Sequence, residues 1–320
     1  MLHLDAEAVA ARLERLPLID ALERAFRYEC QAPGRQHYSV GDAENPSDTL
    51  LIMPAWQSGV SIGVKLVTAF PGNSARGLPT VHATYTLFDA RTGMPRAILD
   101  GTELTRRRTA AASALAARYL AAPGSSRLLM VGTGSLAPHV IESHAVVRPI
   151  RSVRIWGRRP ERARAIAESL ADRSYDVEAV EDLEAAVGWA DIISCATLAT
   201  LPLVRGAWLR DGQHLDLIGS FTPRMREADD DAVARATIYV DTRAAALVES
   251  GELVHALATG RLKRQDIRGE LRDLVRGSAS KRTTIEEITL FKSVGSAIAD
   301  LAAAELALAG AGESRGFASP

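Results

Sequence analysis

Lys65 interrupts an otherwise apolar, strand-like run, Val60-Ser61-Ile62-Gly63-Val64-Lys65-Leu66-Val67-Thr68-Ala69-Phe70. Side chains two apart on a strand share a face, so Lys65 points the same way as Gly63, Val67 and Ala69. An ammonium among small and apolar neighbours must be paired, meet an anionic ligand, or snorkel from a sheet edge to water. A second cationic group, Arg106-Arg107-Arg108, stands at the head of the Ala-rich stretch Thr105 to Ala121. Arginines before a helix N-terminus suit an anion site, because helix dipole and guanidinium act together, although some of the three are expected to be merely solvated.

A second constellation follows the apolar run Arg127-Leu128-Leu129-Met130-Val131: Gly132-Thr133-Gly134-Ser135-Leu136-Ala137, a G-x-G-x-x-A pattern. The first glycine permits a tight turn, the second lets a pyrophosphate approach the backbone, and the small third residue allows close helix packing. The pattern alone is weak; between a strand and a helix in a βαβ unit it predicts a dinucleotide site. The next strand ends in Trp156-Gly157-Arg158-Arg159-Pro160 without an acid. A carboxylate there would bond the ribose hydroxyls of NAD, whereas arginine matches a 2′-phosphate. The expected cofactor is therefore NADPH, with NADH the alternative; the bland reading makes Arg158 and Arg159 solvated loop charges.

These groups need a scaffold. The chain has 320 residues, about two domains' worth, and is 47% hydrophobic and 24% charged. Lys plus Arg number 38 and Asp plus Glu 39, a net charge of −1 that argues against a nucleic-acid footprint. The two cysteines, Cys30 and Cys195, do not make a disulfide scaffold and suit a reducing compartment. The N-terminus lacks the pattern of a signal peptide, and charges such as Arg118, Asp300 and Glu305 break the Ala-rich runs before they reach membrane-spanning length. The expected location is the cytoplasm, with no membrane or nucleic-acid partner.

The first 30 residues read as helical, followed by a turn-rich loop from Ala32-Pro33-Gly34 to Asn45-Pro46-Ser47. Strand-like segments at Thr49 to Trp56, Val60 to Phe70, Thr80 to Asp89 and Pro95 to Leu99 form an antiparallel meander. From Arg127 strands and helices alternate, with further strands at Ser152 to Trp156, Asp176 to Val180, Asp191 to Cys195, His214 to Ile218 and Thr237 to Val240. Such alternation predicts a doubly wound parallel sheet. The tail, Ser293 to Leu308, reads as a helix with Val294, Ile298, Leu301 and Leu308 near one side. His82, on the strand before Asp89, could approach the anion site. The seven histidines show no metal-ligand spacing.

Several of these segments resemble the ornithine cyclodeaminase/mu-crystallin family: Val64-Lys65-Leu66 to Phe70-Pro71-Gly72-Asn73, Asp89 to Thr92-Gly93-Met94-Pro95, and Leu104-Thr105 to Arg108-Thr109-Ala110-Ala111-Ala112-Ser113. Val131-Gly132-Thr133-Gly134 and Ile288-Thr289-Leu290-Phe291-Lys292-Ser293-Val294-Gly295 extend it over nearly the whole chain. The resemblance implies an α/β protein: a Rossmann dinucleotide-binding domain, 123–287, and a discontinuous antiparallel α+β domain for substrate binding and dimerisation, 1–122 completed by 288–320. It also implies a homodimer. Carried over by motif, Arg35, Lys65 and Arg108 bind a substrate carboxylate, Lys65 is the catalytic candidate, and Thr80 lies near the nicotinamide. The cofactor set is Arg108, Gly132, Gly134, Ser135, Leu136, Gly157, Arg158, Arg159, Ala196, Thr197, Gly219 and Lys292, with no metal.

One position separates activities within that resemblance. Cyclodeaminases of the family carry an Asp shortly after the glycine of the fifth Rossmann strand, and this chain reads Ile218-Gly219-Ser220-Phe221-Thr222-Pro223. A phenyl ring neither accepts a proton nor holds an ammonium through a charge-assisted bond. The stretch from Gly219 to Asp230 instead resembles the imine-reducing branch. The leading expectation is NAD(P)H-dependent reduction of a cyclic α-imino acid, Δ1-pyrroline-2-carboxylate to L-proline, with Δ1-piperideine-2-carboxylate to L-pipecolate second. The alternatives are ornithine cyclodeamination, an alanine-type dehydrogenase and a non-catalytic ligand-binding protein.

Overall fold

The structure, a computed structural model, describes residues 1–42 and 47–310. It divides into two compact units, Met1–Arg108 with the chain from Ser296 on, and Thr109–Gly295. The expected boundaries, 122/123 and 287/288, differ from these at both crossings. The first division falls inside a continuous helix, Gly101–Leu120. The second comes later because Thr289–Lys292 is a strand of the parallel sheet. Residues 311–320, expected to complete the first domain, lie outside the described residues.

In the first unit the strands are β1 (Leu2–Leu4), β2 (Gln36–Ser39), β3 (Thr49–Gln57), β4 (Ser61–Ala69), β5 (Val81–Asp89) and β6 (Pro95–Asp100). They form one sheet in the order β1-β6-β5-β4-β3-β2. β3 to β6 are the expected antiparallel meander, β2 extends it antiparallel to β3, and β1 adds a parallel edge against β6. The expected all-helical N-terminus is thus corrected: β1 has three residues, too few to show a period. β2 corrects the loop expectation in the same way, all four of its residues being exposed and without an apolar alternation. Asn45 and Pro46 of that loop lie outside the described residues.

One face of the sheet is covered by helix Ala297–Ala309, on which helix Arg15–Arg27 packs in turn. Met53, Ala55, Lys65, Val67, Tyr85 and Leu87 are buried on it. The C-terminal helix is not amphipathic as expected. It is buried almost all round, Asp300 and Glu305 included, and Val294 precedes it. Gly63 faces Tyr85 so closely that an added Cβ would collide with the phenol ring and its hydroxyl. Tyr85 is wholly buried and has no room to yield. Gly63→Ala should therefore cost about 1–3 kcal/mol as overpacking, read as a lower denaturant midpoint. The pair Gly63→Ala with Tyr85→Phe should recover part of that loss.

The second unit holds β7 (Arg127–Val131), β8 (Ser152–Trp156), β9 (Asp176–Val180), β10 (Ile192–Cys195), β11 (His214–Leu217), β12 (Thr237–Val240), β13 (Ile267–Glu270) and β14 (Thr289–Lys292). The sheet runs β13-β12-β14-β11-β10-β7-β8-β9 with every pair parallel. β7 is buried on both faces: Leu129 and Val131 enter one apolar cluster, Leu128 and Met130 the other. That explains its uninterrupted apolar sequence. The order reverses between β7 and β10, so the loops at their C-terminal ends open a crevice where ligands of such sheets bind.

Candidate active site

Three cationic positions expected to act together are placed in the first unit. Lys65, on the helix-covered face of β4, is 1% exposed, so the snorkelling alternative is removed. Its Nζ lies 2.8 Å from each carboxylate oxygen of Asp300 and 3.4 Å from Thr105 Oγ1. Arg108 donates from Nε to Asp300 Oδ1 at 2.7 Å. Arg35 is half-buried and close enough for its charge to act on Lys65. Burial pulls the Lys65 ammonium down to about 7, Arg108 adds to that, and Asp300 only partly offsets both. Asp300 responds oppositely: burial pushes its carboxyl up, but Arg108 and Lys65 outweigh that and hold it below the ordinary value. The result is a concentrated positive site around one carboxylate, poised near neutral pH.

The helix carrying Arg108 starts at Gly101, earlier than expected, and Asp100 Oδ1 accepts the Glu103 amide at 2.7 Å at its start. The three arginines therefore lie within the helix rather than before its N-terminus. None is merely solvated. Arg107 donates to Glu103 Oε1 at 2.7 Å and to the Leu13 carbonyl, and Arg106 to Glu103 Oε2 at 3.4 Å. Only Arg108 turns to Asp300. Thr80 sits in the loop before β5, its carbonyl accepting from Phe70 N at 2.8 Å, well along the strand from Tyr85, which pairs across from Lys65. His82 is exposed and, an odd number of residues from Tyr85 and Leu87, lies on the opposite face of the strand, so it does not join the cluster.

Asp300 was read from sequence only as a charge that breaks an apolar run. Its signal was nonetheless present: an acid in a helix that, Glu305 apart, is otherwise Ala, Leu and Ile must be paired when it is buried.

In the second unit a cavity of about 470 Å³ opens at the C-terminal ends of the strands. Gly132, Gly134, Gly157, Arg158, Arg159, Ala196 and Thr197 line it, as the motif implied, together with Trp156, Arg162, Leu198 and Leu201. Gly132 has φ +121°, and a Cβ there would stand 2.5 Å from the Ala196 carbonyl oxygen, so only glycine fits. Around the Cβ direction of Gly134 nothing lies within 4 Å, which leaves the backbone open to a phosphate. Helix Ala137–Val147 begins behind this turn with Leu136 at its N-cap and no side-chain acceptor there. The Ala137 amide donates to the Gly134 carbonyl at 3.0 Å and Pro138 has none, so what this end offers an anion is the open glycine turn and the positive end of the helix dipole. These features fit a dinucleotide.

Arg158 and Arg159 are exposed, and Arg162, which the sequence reading passed over, joins them from the first turn of helix Pro160–Ser169. Ser135 is exposed in the turn, and Leu136 is half-buried. Lys292 is fully buried on β14, with its Nζ 3.7 Å from Glu252 Oε2. Gly219 follows β11, and its amide donates to Glu227 Oε2 at 2.7 Å. Phe221, at the position that separates activities, is 43% exposed in the same loop. A larger cavity, about 590 Å³, lies at the opposite strand ends, but Asp191 there is bonded to Arg127 and Arg210. No group of His, Cys, Asp and Glu among the described residues could hold a metal, and no described helix is long and apolar enough to cross a membrane.

Comparison with known proteins identifies the lineage. Residues 2–311 match the model of the ornithine cyclodeaminase/mu-crystallin family. The chain belongs to that family. Within it, the chain is 45% identical to the Delta(1)-pyrroline-2-carboxylate reductase of Paracoccus denitrificans, over 80% of this chain and 81% of that protein. It is 38% identical to the enzyme of the same name from Colwellia psychrerythraea, over 94% and 96% of the two chains. The solved structure of Thermococcus litoralis Delta(1)-pyrroline-2-carboxylate reductase in complex with NADH and L-proline superposes with a TM-score of 0.92 at 32% identity, covering 97% of each chain. Family membership accounts for both the α/β fold and the nicotinamide-type pocket.

Proposed function

We propose that this family member is an NAD(P)H-dependent reductase of a cyclic α-imino acid, converting Δ1-pyrroline-2-carboxylate to L-proline and accepting the six-membered homologue. The observation that carries the reading is the buried Lys65–Asp300–Arg108 cluster. Three cations around one carboxylate leave positive charge for a substrate carboxylate, which Arg35, Lys65 and Arg108 bind. Reduction of C=N is easiest when the nitrogen is protonated, and Lys65, at about 7, holds a transferable proton at neutral pH. Asp300 orients both cations and keeps Lys65 from losing its charge altogether. When bound, the nicotinamide supplies the hydride. The relatives named above support this substrate class, and Phe221 suits a ring without a side-chain charge.

The turn from Gly132 to Leu136 would hold the dinucleotide diphosphate. Arg158, Arg159 and Arg162, with no acid among the residues lining that cavity, favour NADPH. We place the enzyme in the cytoplasm, in keeping with two buried cysteines that form no disulfide. The outer face of the first unit's sheet presents Leu50, Ile52, Ile62, Val64 and Leu66, the last 40% exposed, and a second copy of the chain would cover it in a homodimer.

The test is NADPH oxidation with Δ1-pyrroline-2-carboxylate and no added ammonia, with proline identified as product. Arg158→Ala with Arg159→Ala should lower the NADPH-to-NADH preference by about tenfold or more, since charge-assisted contacts contribute about 1.5–3 kcal/mol. Ammonia release from ornithine without imine reduction would instead establish the cyclodeaminase.

A further inference from the structure

Beneath the dinucleotide pocket lies a buried acid pair that the proposed reaction does not use. Glu227 is fully buried, and its carboxylate gathers donors from two separate loops. From the loop after β10, Thr197 donates to Oε1 through its amide at 2.6 Å and its hydroxyl at 2.9 Å. From the loop after β11, the amides of Gly219 and Ser220 donate to Oε2 at 2.7 and 3.3 Å. The two loops meet so closely that a Cβ on Gly219 would collide with the Thr197 backbone and with Glu227 itself. Thr197 lines the dinucleotide cavity. One carboxylate therefore holds the wall of the pocket in register.

The charge on that carboxylate is contested. Glu252, also fully buried, accepts from the Glu227 amide at 2.6 Å and from the Ser220 and Ser250 hydroxyls at 2.7 and 3.0 Å. Lys292 faces the pair from β14, its Nζ 3.7 Å from Glu252 Oε2 and without a hydrogen-bond partner. The Cys195 thiol faces Glu227 from β10, and burial followed by the charge of Glu227 pushes it well up, so it stays neutral. Arg226, next in the chain, is paired with Asp230 at 2.5 Å. Two acids thus share one lysine in a fully buried site, and burial with Glu252's repulsion pushes Glu227 up to about 7 against the pull of Lys292 and Thr197.

We propose that Glu227 is a positioning residue for the dinucleotide: its ionised carboxylate clamps the loops after β10 and β11, and Glu252 and Lys292 set the pH at which the clamp holds. The proposal rests on the dinucleotide reading of this pocket. Above the ionisation of Glu227 all four donors meet a charged acceptor. Below it the added proton weakens those bonds and frees Thr197. Cofactor affinity is then high on the alkaline side of neutrality and falls on the acid side. Replacing Glu252 removes repulsion and moves the transition to lower pH, whereas replacing Lys292 removes attraction and moves it to higher pH.

The experiment is equilibrium titration of the full chain with NADH from pH 6 to 8.5, followed by quenching of tryptophan fluorescence. NADH is the probe because the 2′-phosphate of NADPH would itself titrate near 6. The wild-type Kd should rise several-fold on acidification through about pH 7. Glu227→Gln should bind about tenfold more weakly at pH 8 and lose the pH dependence. Glu252→Gln and Lys292→Met should shift the midpoint in opposite directions, which loss of packing alone would not produce. A flat wild-type Kd across this range overturns the clamp, without reliance on any variant. Midpoints that stay put or move together in the two neighbours overturn it equally. If wild type binds neither NADH nor NADPH, the dinucleotide reading itself falls.

Discussion

Replacing Lys65 by methionine should lower kcat/KM for the cyclic imine by roughly 30- to 5,000-fold, because truncating one partner of a buried charge pair costs about 2–5 kcal/mol. Arg108→Ala should fall in the same range. The pH profile separates Lys65's two duties. With its ammonium pulled down to about 7 by burial and by Arg108, Lys65 is charged below that pH and neutral above it. Carboxylate binding and proton donation both need the charged form. With cofactor saturating throughout, kcat/KM for the imine should therefore be flat on the acid side and fall as pH rises through about 7, toward tenfold per unit. Lys65→Arg keeps a charge that does not titrate in this range, so that break should vanish even where activity is low. A steady-state pH series on both forms checks this. An unchanged break in Lys65→Arg would assign the titration to another group.

Asp300→Asn should produce the largest loss of stability. It leaves Lys65 and Arg108 buried side by side without their counter-charge, and breaking a buried pair in this way costs about 3–5 kcal/mol. Chemical denaturation with Asp300→Asn beside wild type measures it. A second consequence distinguishes this from ordinary loss of packing. Asp300 is the group that raises Lys65, so without it the ammonium should titrate lower still. The alkaline fall in kcat/KM should move to more acidic pH. If saturating proline analogue restores much of the lost stability in Asp300→Asn, its carboxylate is taking the place of the missing one. A variant with wild-type stability and an unmoved pH profile would remove Asp300 from the site.

The parts of the fold legible in sequence were those with a long, repeated local signal. β7 was readable because a strand buried on both faces is apolar throughout, and the Gly132–Leu136 turn because its glycines follow that strand. β1 and β14 were not read as strands: β1 has only three residues, β14 ends in the charged Lys292, and only their pairing partners, β6 and β11 with β12, make them strands. β14 also displaces β12 from the neighbour its chain order suggested, so a buried Lys292 enters the sheet beside β11. In the same way, the helix Ala297–Ala309 looked amphipathic until both of its faces were covered.

By itself, the sequence determined which chemical groups were available and the family to which they belong: a cationic strand residue, an arginine on the following helix, a glycine turn and no acid after the second parallel strand. Those properties are local, since residue type and short spacing define them. Tertiary structure decided which groups meet. Asp300 reaches Lys65 across most of the chain's length, and Glu227 ties two loops that sequence separates. It also decided their charge states, because a pKa depends on burial and on neighbouring charges. Neither is a property of the residue alone, so Lys65 becomes an acid near neutrality only once the sheet and the last helix have closed over it.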